Sequence, residues 1–158
     1  MFSLSREFSK YTKSPKYLDS RAIAFIDSRI AGCENLVQQA APEVRVIVLG
    51  LLAEGIKAIT QTLNSSYCQQ VYLVGSGTPG SLYLGNNELS RNTLIQYESQ
   101  LQSWFEHIDP EEIRPQLHLC GCNVAAGDVG EEFLTKLSSL TGAEISASKN
   151  VYSSRVFN

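Results

Sequence analysis

The chain has 158 residues, of which 43% are hydrophobic and 18% charged, enough to bury the core of one globular domain without cross-links. A formal charge of −3 and a pI near 5.4 exclude a general nucleic-acid binder, which needs a basic field to neutralise phosphates. No apolar run reaches the roughly 18 to 20 residues of a membrane span and the amino end lacks a secretory signal pattern, so a cytoplasmic location is expected, with the four cysteines as free thiols.

Residues 1–20 are rich in Ser, Lys and Tyr, lack sustained periodicity and contain Pro15, which predicts an extended basic arm ahead of a single α/β domain at 21–158. Through residue 21 the arm carries Arg6, Lys10, Lys13, Lys16 and Arg21 against Glu7 and Asp19. It is either a solvated tail or a tether for an acidic protein partner. Residues 21–27 (R-A-I-A-F-I-D) form a continuous apolar run closed by an acid, as suits a central parallel strand with Asp27 at its carboxyl end. A short helix at 34–41 stops at Pro42, and the β-branched run at 44–50 is the next strand. Ile56, Ile59 and Leu63 mark one face of a helix over 54–64.

The apolar run beginning at Val71 breaks at Gly75-Ser76-Gly77-Thr78-Pro79-Gly80, the pattern of a buried strand opening into a turn on the ligand side of an α/β sheet. Residues 81–89 alternate around an Asn-Asn pair, which predicts a hairpin on the rim. The clearest helix is expected over 93–108, with Leu94, Tyr97, Leu101, Trp104, Phe105 and Ile108 inward. A strand at 116–121 follows, then a helix from about 129 to 140 with Val129, Phe133, Leu137 and Leu140 inward. A fifth strand at 143–148 carries Ser146 and Ser148 toward the rim. Strand and helix alternate, so the expected fold is α/β, a mostly parallel sheet of about five strands covered by helices on both faces.

The turn at 75–80 matches G-x-G-x-x-G literally, but a dinucleotide site needs a helix to begin there, and Pro79 with an alternating segment follows instead. Ser76 lacks the G-x-S-x-G setting of a hydrolase nucleophile. Cys122, at a strand end and about one turn before a helix, has two readings: a nucleophile with a depressed pKa, or a small buried hydrophobe. The only histidines are poor bases for it. His107, at the far end of the long helix, is expected about 20 Å away. His118, four residues upstream on the same strand, is expected about 13 Å away. His118, Cys120 and Cys122 alternate on one strand face but spread too widely for one tetrahedral ion, so no metal and no cofactor is expected.

Several motifs together resemble a domain family of unknown function, common in cyanobacteria and proteobacteria and often found at the amino end of very large adhesin-like proteins. The resemblance covers roughly residues 22–148. It rests on F-I-D-S-R at 25–29, G-x-P-G-S-L-x-L-G ending at Gly85, G-C-N-V-A-A-G at 121–127 and L-T-G-A at 140–143. That family is similar to caspase-like (clan CD) cysteine peptidases, which implies a three-layer sandwich. It also implies Cys122 at the nucleophile position and the Gly77 amide at the oxyanion position; Asp27, Asn123, Ser146 and Ser148 are the further candidate binding residues on the same rim. Where such relatives carry histidine, this chain has Ser76. A hydroxyl cannot replace imidazole as general base, and losing that base costs about 10² to 10⁴ in rate. The expected function is therefore a non-catalytic binding or structural module with a protein partner, the arm at 1–21 being one means of holding it. The alternative is an atypical cysteine peptidase or thiol enzyme using Cys122.

Overall fold

A computed structural model describes residues 18–19, 22–40, 43–121 and 123–148, without the side chains of 18, 19 and 148. Most of the arm and Cys122 lie outside the described residues.

In chain order, β1 (Leu18–Asp19) precedes β2 (Ala22–Asp27), whose six residues are all buried, as an unbroken apolar run requires of a strand covered on both faces. Then come α1 (Cys33–Gln39), β3 (Val44–Leu49) and α2 (Gly55–Asn64), which buries Ile56, Ile59 and Leu63 as their spacing predicts. β4 (Ser66–Tyr67) pairs in parallel with β1. β5 (Gln70–Val74) follows and leads into β6 (Ser76–Thr78), β7 (Ser81–Leu84) and β8 (Asn87–Ser90). These last three form an antiparallel sheet that elaborates the expected hairpin by one strand. After a 3₁₀ turn at Leu94–Tyr97 come α3 (Glu98–Ser103), β9 (Gln116–Cys120), α4 (Gly127–Thr141) and β10 (Glu144–Ser148).

The main sheet is parallel throughout, in the order β10-β9-β5-β2-β3. Its two faces are distinguished by alternation along each strand. Ile23, Phe25, Val71, Leu73, Leu117 and Leu119 point to the larger core, with Ile56, Ile59 and Leu63 of α2, Leu101 of α3 and Phe133 and Leu137 of α4. Ala22, Ala24, Ile26, Tyr72, Val74 and Cys120 point to the other, where Leu36 of α1 packs. The result is the expected α/β architecture with helices on both faces.

Two expectations are corrected. The helix over 93–108 is α-helical only at Glu98–Ser103. Thr93 cannot cap it, because its hydroxyl donates to the Glu88 carbonyl at 2.7 Å and accepts the Ser90 amide at 2.8 Å. Beyond Ser103 the bonds tighten to i→i−3, with the Trp104 amide on Leu101 and the Ile108 amide on Phe105. Those tight turns bury Trp104, Phe105 and Ile108 together, and the Trp104 indole donates to Thr60 Oγ1 at 2.9 Å. The second correction is Val129, which is 49% exposed rather than inward. The buried stripe of α4 runs through Gly130, Phe133, Leu137 and Thr141, while Val129 lies against the turn at Gly80.

Candidate functional site

The carboxyl ends of β5 and β9 lie side by side, because the two strands pair in register from Gln70↔Gln116 to Val74↔Cys120. Their turns are therefore neighbours, and backbone contacts tie them together. The Gly75 amide donates to the Cys120 carbonyl at 3.1 Å, and the Gly80 amide to the Val124 carbonyl at 2.8 Å. Gly121 has no room for a side chain. A Cβ there would stand 2.8 Å from Leu82 Cδ1, 2.9 Å from the Gly75 oxygen and 3.6 Å from Gly77 Cα. Gly80 adopts φ +77 and abuts Val129, so neither its conformation nor its surroundings accept another residue cheaply.

On this rim Ser76 is exposed and Gly77 half-buried, both in β6. Asn123 is exposed with a left-handed φ of 60, and its carbonyl accepts the Ala126 amide at 3.0 Å. Asn tolerates that conformation better than most residues because its short side chain bonds locally. Cys122 is outside the described residues.

Asp27 ends β2 at the same edge but is only 1% exposed. Its carboxylate accepts the Arg29 amide at 2.8 Å, Arg29 Nε at 2.9 Å, Arg29 Nη2 at 2.7 Å and the Gly85 amide at 2.7 Å. Arg29 Nη2 also donates to the Gly85 carbonyl at 2.6 Å. Burial pushes the Asp27 pKa up, but the hydrogen bonds from Arg29 and Gly85 outweigh it and hold the carboxyl below its ordinary value of 3.8. The geometry makes Asp27 a fastener between β2 and the β7–β8 turn, with its acceptor sites engaged. Arg29 was missed in the sequence, although an Asp and an Arg two residues apart at a strand end signal this local pairing.

The two serines of β10 sit at different depths. Ser148 pairs in register with Cys120 at the strand ends, whereas Ser146 pairs with His118, two residues inside the sheet. Ser146 Oγ lies 2.6 Å from His118 Nδ1, and the imidazole stacks on Tyr72 at 4.6 Å between centroids. His118 Nε2 is buried and has no hydrogen-bond partner among the described residues. Burial pushes the His118 pKa below 6.5, against a smaller opposing pull from Glu144. His107 is at the opposite end of the sheet, where its Nε2 meets the Ser66 carbonyl and its ring stands edge-on to Tyr67. Cys120 is buried and its thiol pushed up to about 12. Burial likewise pushes Cys68 up to about 11. Such thiols are protonated at neutral pH and poor nucleophiles.

Among the described residues no group of three or more His, Cys, Asp or Glu could hold a metal ion, and no helix is long and apolar enough to cross a membrane. A family model described as Domain of unknown function (DUF4347) matches residues 23–155. No curated protein and no solved structure matches the chain.

Proposed function

The chain belongs to this family of DUF4347 domains, and we propose that it works as a binding module: a caspase-like domain whose rim loops hold a protein segment and whose cysteine chemistry has lost its base. The observation that carries this reading is Ser76, exposed at the carboxyl end of β5 where the resemblance puts histidine. Both histidines of the chain are elsewhere, His107 on Ser66 and His118 inside β9 on Ser146. A serine hydroxyl does not take up a thiol proton near neutrality, so on this reading the rim contacts peptide without the proton transfer that cleavage needs. Exposed Ser76, Thr78 and Asn123 supply polar groups to an extended segment, and the basic arm at 1–21 supplies a second contact to an acidic partner.

The test is a fluorescence-polarisation screen of a peptide library with the wild-type chain and with Ser76→Arg, which crowds the rim without entering the core. Binding by a peptide class that is lost in Ser76→Arg is the expected result. Turnover of peptides by the wild-type chain, abolished by Cys122→Ser, would contradict it.

One observation favours a second reading, that of an atypical cysteine peptidase or thiol enzyme. Gly77 lies against Gly121, the residue before Cys122, so the Gly77 and Cys122 amides would serve as oxyanion donors with Cys122 as nucleophile. Recovery of cleavage in Ser76→His would then show an intact remainder of the site. No activity in a folded Ser76→His would count against it.

A further inference from the structure

We propose that β3 pairs with β3 of a second copy of this chain, continuing the sheet across a two-fold axis. Among the described strands β3 pairs with β2 alone, at the end of the sheet. In a parallel pair alternate residues turn N–H and C=O to the neighbour, so the remaining residues of β3 present theirs outward. Natural edges are blunted by Pro, charged side chains, bulges or short length. The strand V-R-V-I-V-L carries one such device, the exposed Arg45; it has no Pro or Lys, and its register with β2 is unbroken over six residues.

Apolar side chains accompany the open backbone. Val48 is 48% exposed, and Leu51 and Leu52, in the turn that follows, are 56% and 85% exposed. Val44 and Val46 face the α1 side, and Ile47 and Leu49 face the larger core, so the two faces of the strand are already defined.

The choice of a second copy follows from the strand being its own complement. A two-fold axis normal to the sheet requires antiparallel pairing and sets residues of like facing opposite each other. Centred on Ile47, it puts Val46 of each copy against Val48 of the other, covering the half-exposed valine twice. Arg45 then meets Leu49 of the second copy, and the two Arg45 side chains are kept about 13 Å apart along the strand. No like charges oppose each other. Within β3 itself, a partner recognised by charge would find Arg45 alone.

The experiment is sedimentation velocity on the 158-residue chain across a hundredfold range of micromolar concentrations, with V48K as the variant. Val48 is half exposed, so Lys is tolerated in the monomer, as circular dichroism and a thermal melt will verify. The expected result is a concentration-dependent dimer whose Kd rises at least about tenfold in V48K. Hydrogen exchange on the wild type gives a second readout that does not depend on the variant folding, with amides of 44–49 slowing as concentration rises. A wild-type chain that stays monomeric, or one that dimerises with β3 amides unprotected and Kd unchanged in V48K, overturns the proposal.

Discussion

Replacing Asp27 by Asn keeps the shape of the side chain and removes its charge. The carboxylate is almost fully buried and accepts four hydrogen bonds, three from Arg29 and one from the Gly85 amide. An amide has one oxygen, so its NH₂ must face either the Arg29 amide and Nε or Arg29 Nη2 and the Gly85 amide, donor against donors. Breaking a buried pair costs about 3 to 5 kcal/mol, but the Arg29 side chain is 43% exposed and water screens it. The expected loss is therefore about 2 to 4 kcal/mol. Urea unfolding measures it as a lower midpoint at unchanged m-value. The pH dependence provides an internal check. Because the folded pKa of Asp27 lies below 3.8, its contribution is present above 3.8 and is lost as pH falls through the folded value. The carboxamide of Asp27→Asn cannot titrate, so the difference between wild type and variant should shrink in that acid range. A loss below about 0.5 kcal/mol at pH 7 would refute the fastener role, since that is the scale of an ordinary surface substitution.

Other outcomes follow from the same geometry. Gly121→Ala drives a methyl into Leu82 and the Gly75 carbonyl and should cost about 1 to 3 kcal/mol, with chemical-shift changes spreading to both rim turns. Trp104→Phe removes the indole bond to Thr60 and part of a fully buried side chain, and should lower stability by about 1 to 2 kcal/mol in chemical denaturation. His118, whose folded pKa is below 6.5, is held neutral in the native state, so the unfolded chain binds the proton first on acidification. Stability should therefore decline as pH falls below 6.5 and flatten below the folded pKa. Thermal melts from about pH 7.5 to about pH 5 should show a shallower slope in His118→Gln.

The sheet was legible because four of its five strands are short apolar runs closing at Asp27, Gly50, Gly75 or Gly121, and Gly75 and Gly121 mark adjacent strand ends in the structure as their pattern suggested. The helix over 93–108 misled because its apolar spacing fits an α-helix, while Thr93 is engaged by Glu88 and Ser90 and the last turns are tightened around Trp104. Periodicity records which side chains are buried but not which hydrogen bonds the backbone makes. Val129 fits the stripe by spacing alone, but the face of α4 that meets the core runs through Gly130 instead, and Val129 is left half exposed beside the Gly80 turn. His118 meets Ser146 across 28 positions of sequence because β9 and β10 pair in one register, a relation no local pattern encodes. Asp27 and Arg29 are near neighbours in sequence, but the Gly85 backbone that completes their cluster is distant.

The proposed loss of the base is tested most directly by the pH dependence of iodoacetamide labelling at Cys122, followed by mass spectrometry on the intact chain. Cys120 and Cys68, pushed up to about 12 and about 11, give slow internal references, and the half-buried Cys33 a faster one. A binding module without a base should label at Cys122 as an ordinary thiol does, with a rate that climbs through about pH 8.5 and no plateau below neutrality. Rapid labelling of Cys122 that is already at its plateau below about pH 7 would show a maintained thiolate and contradict the account.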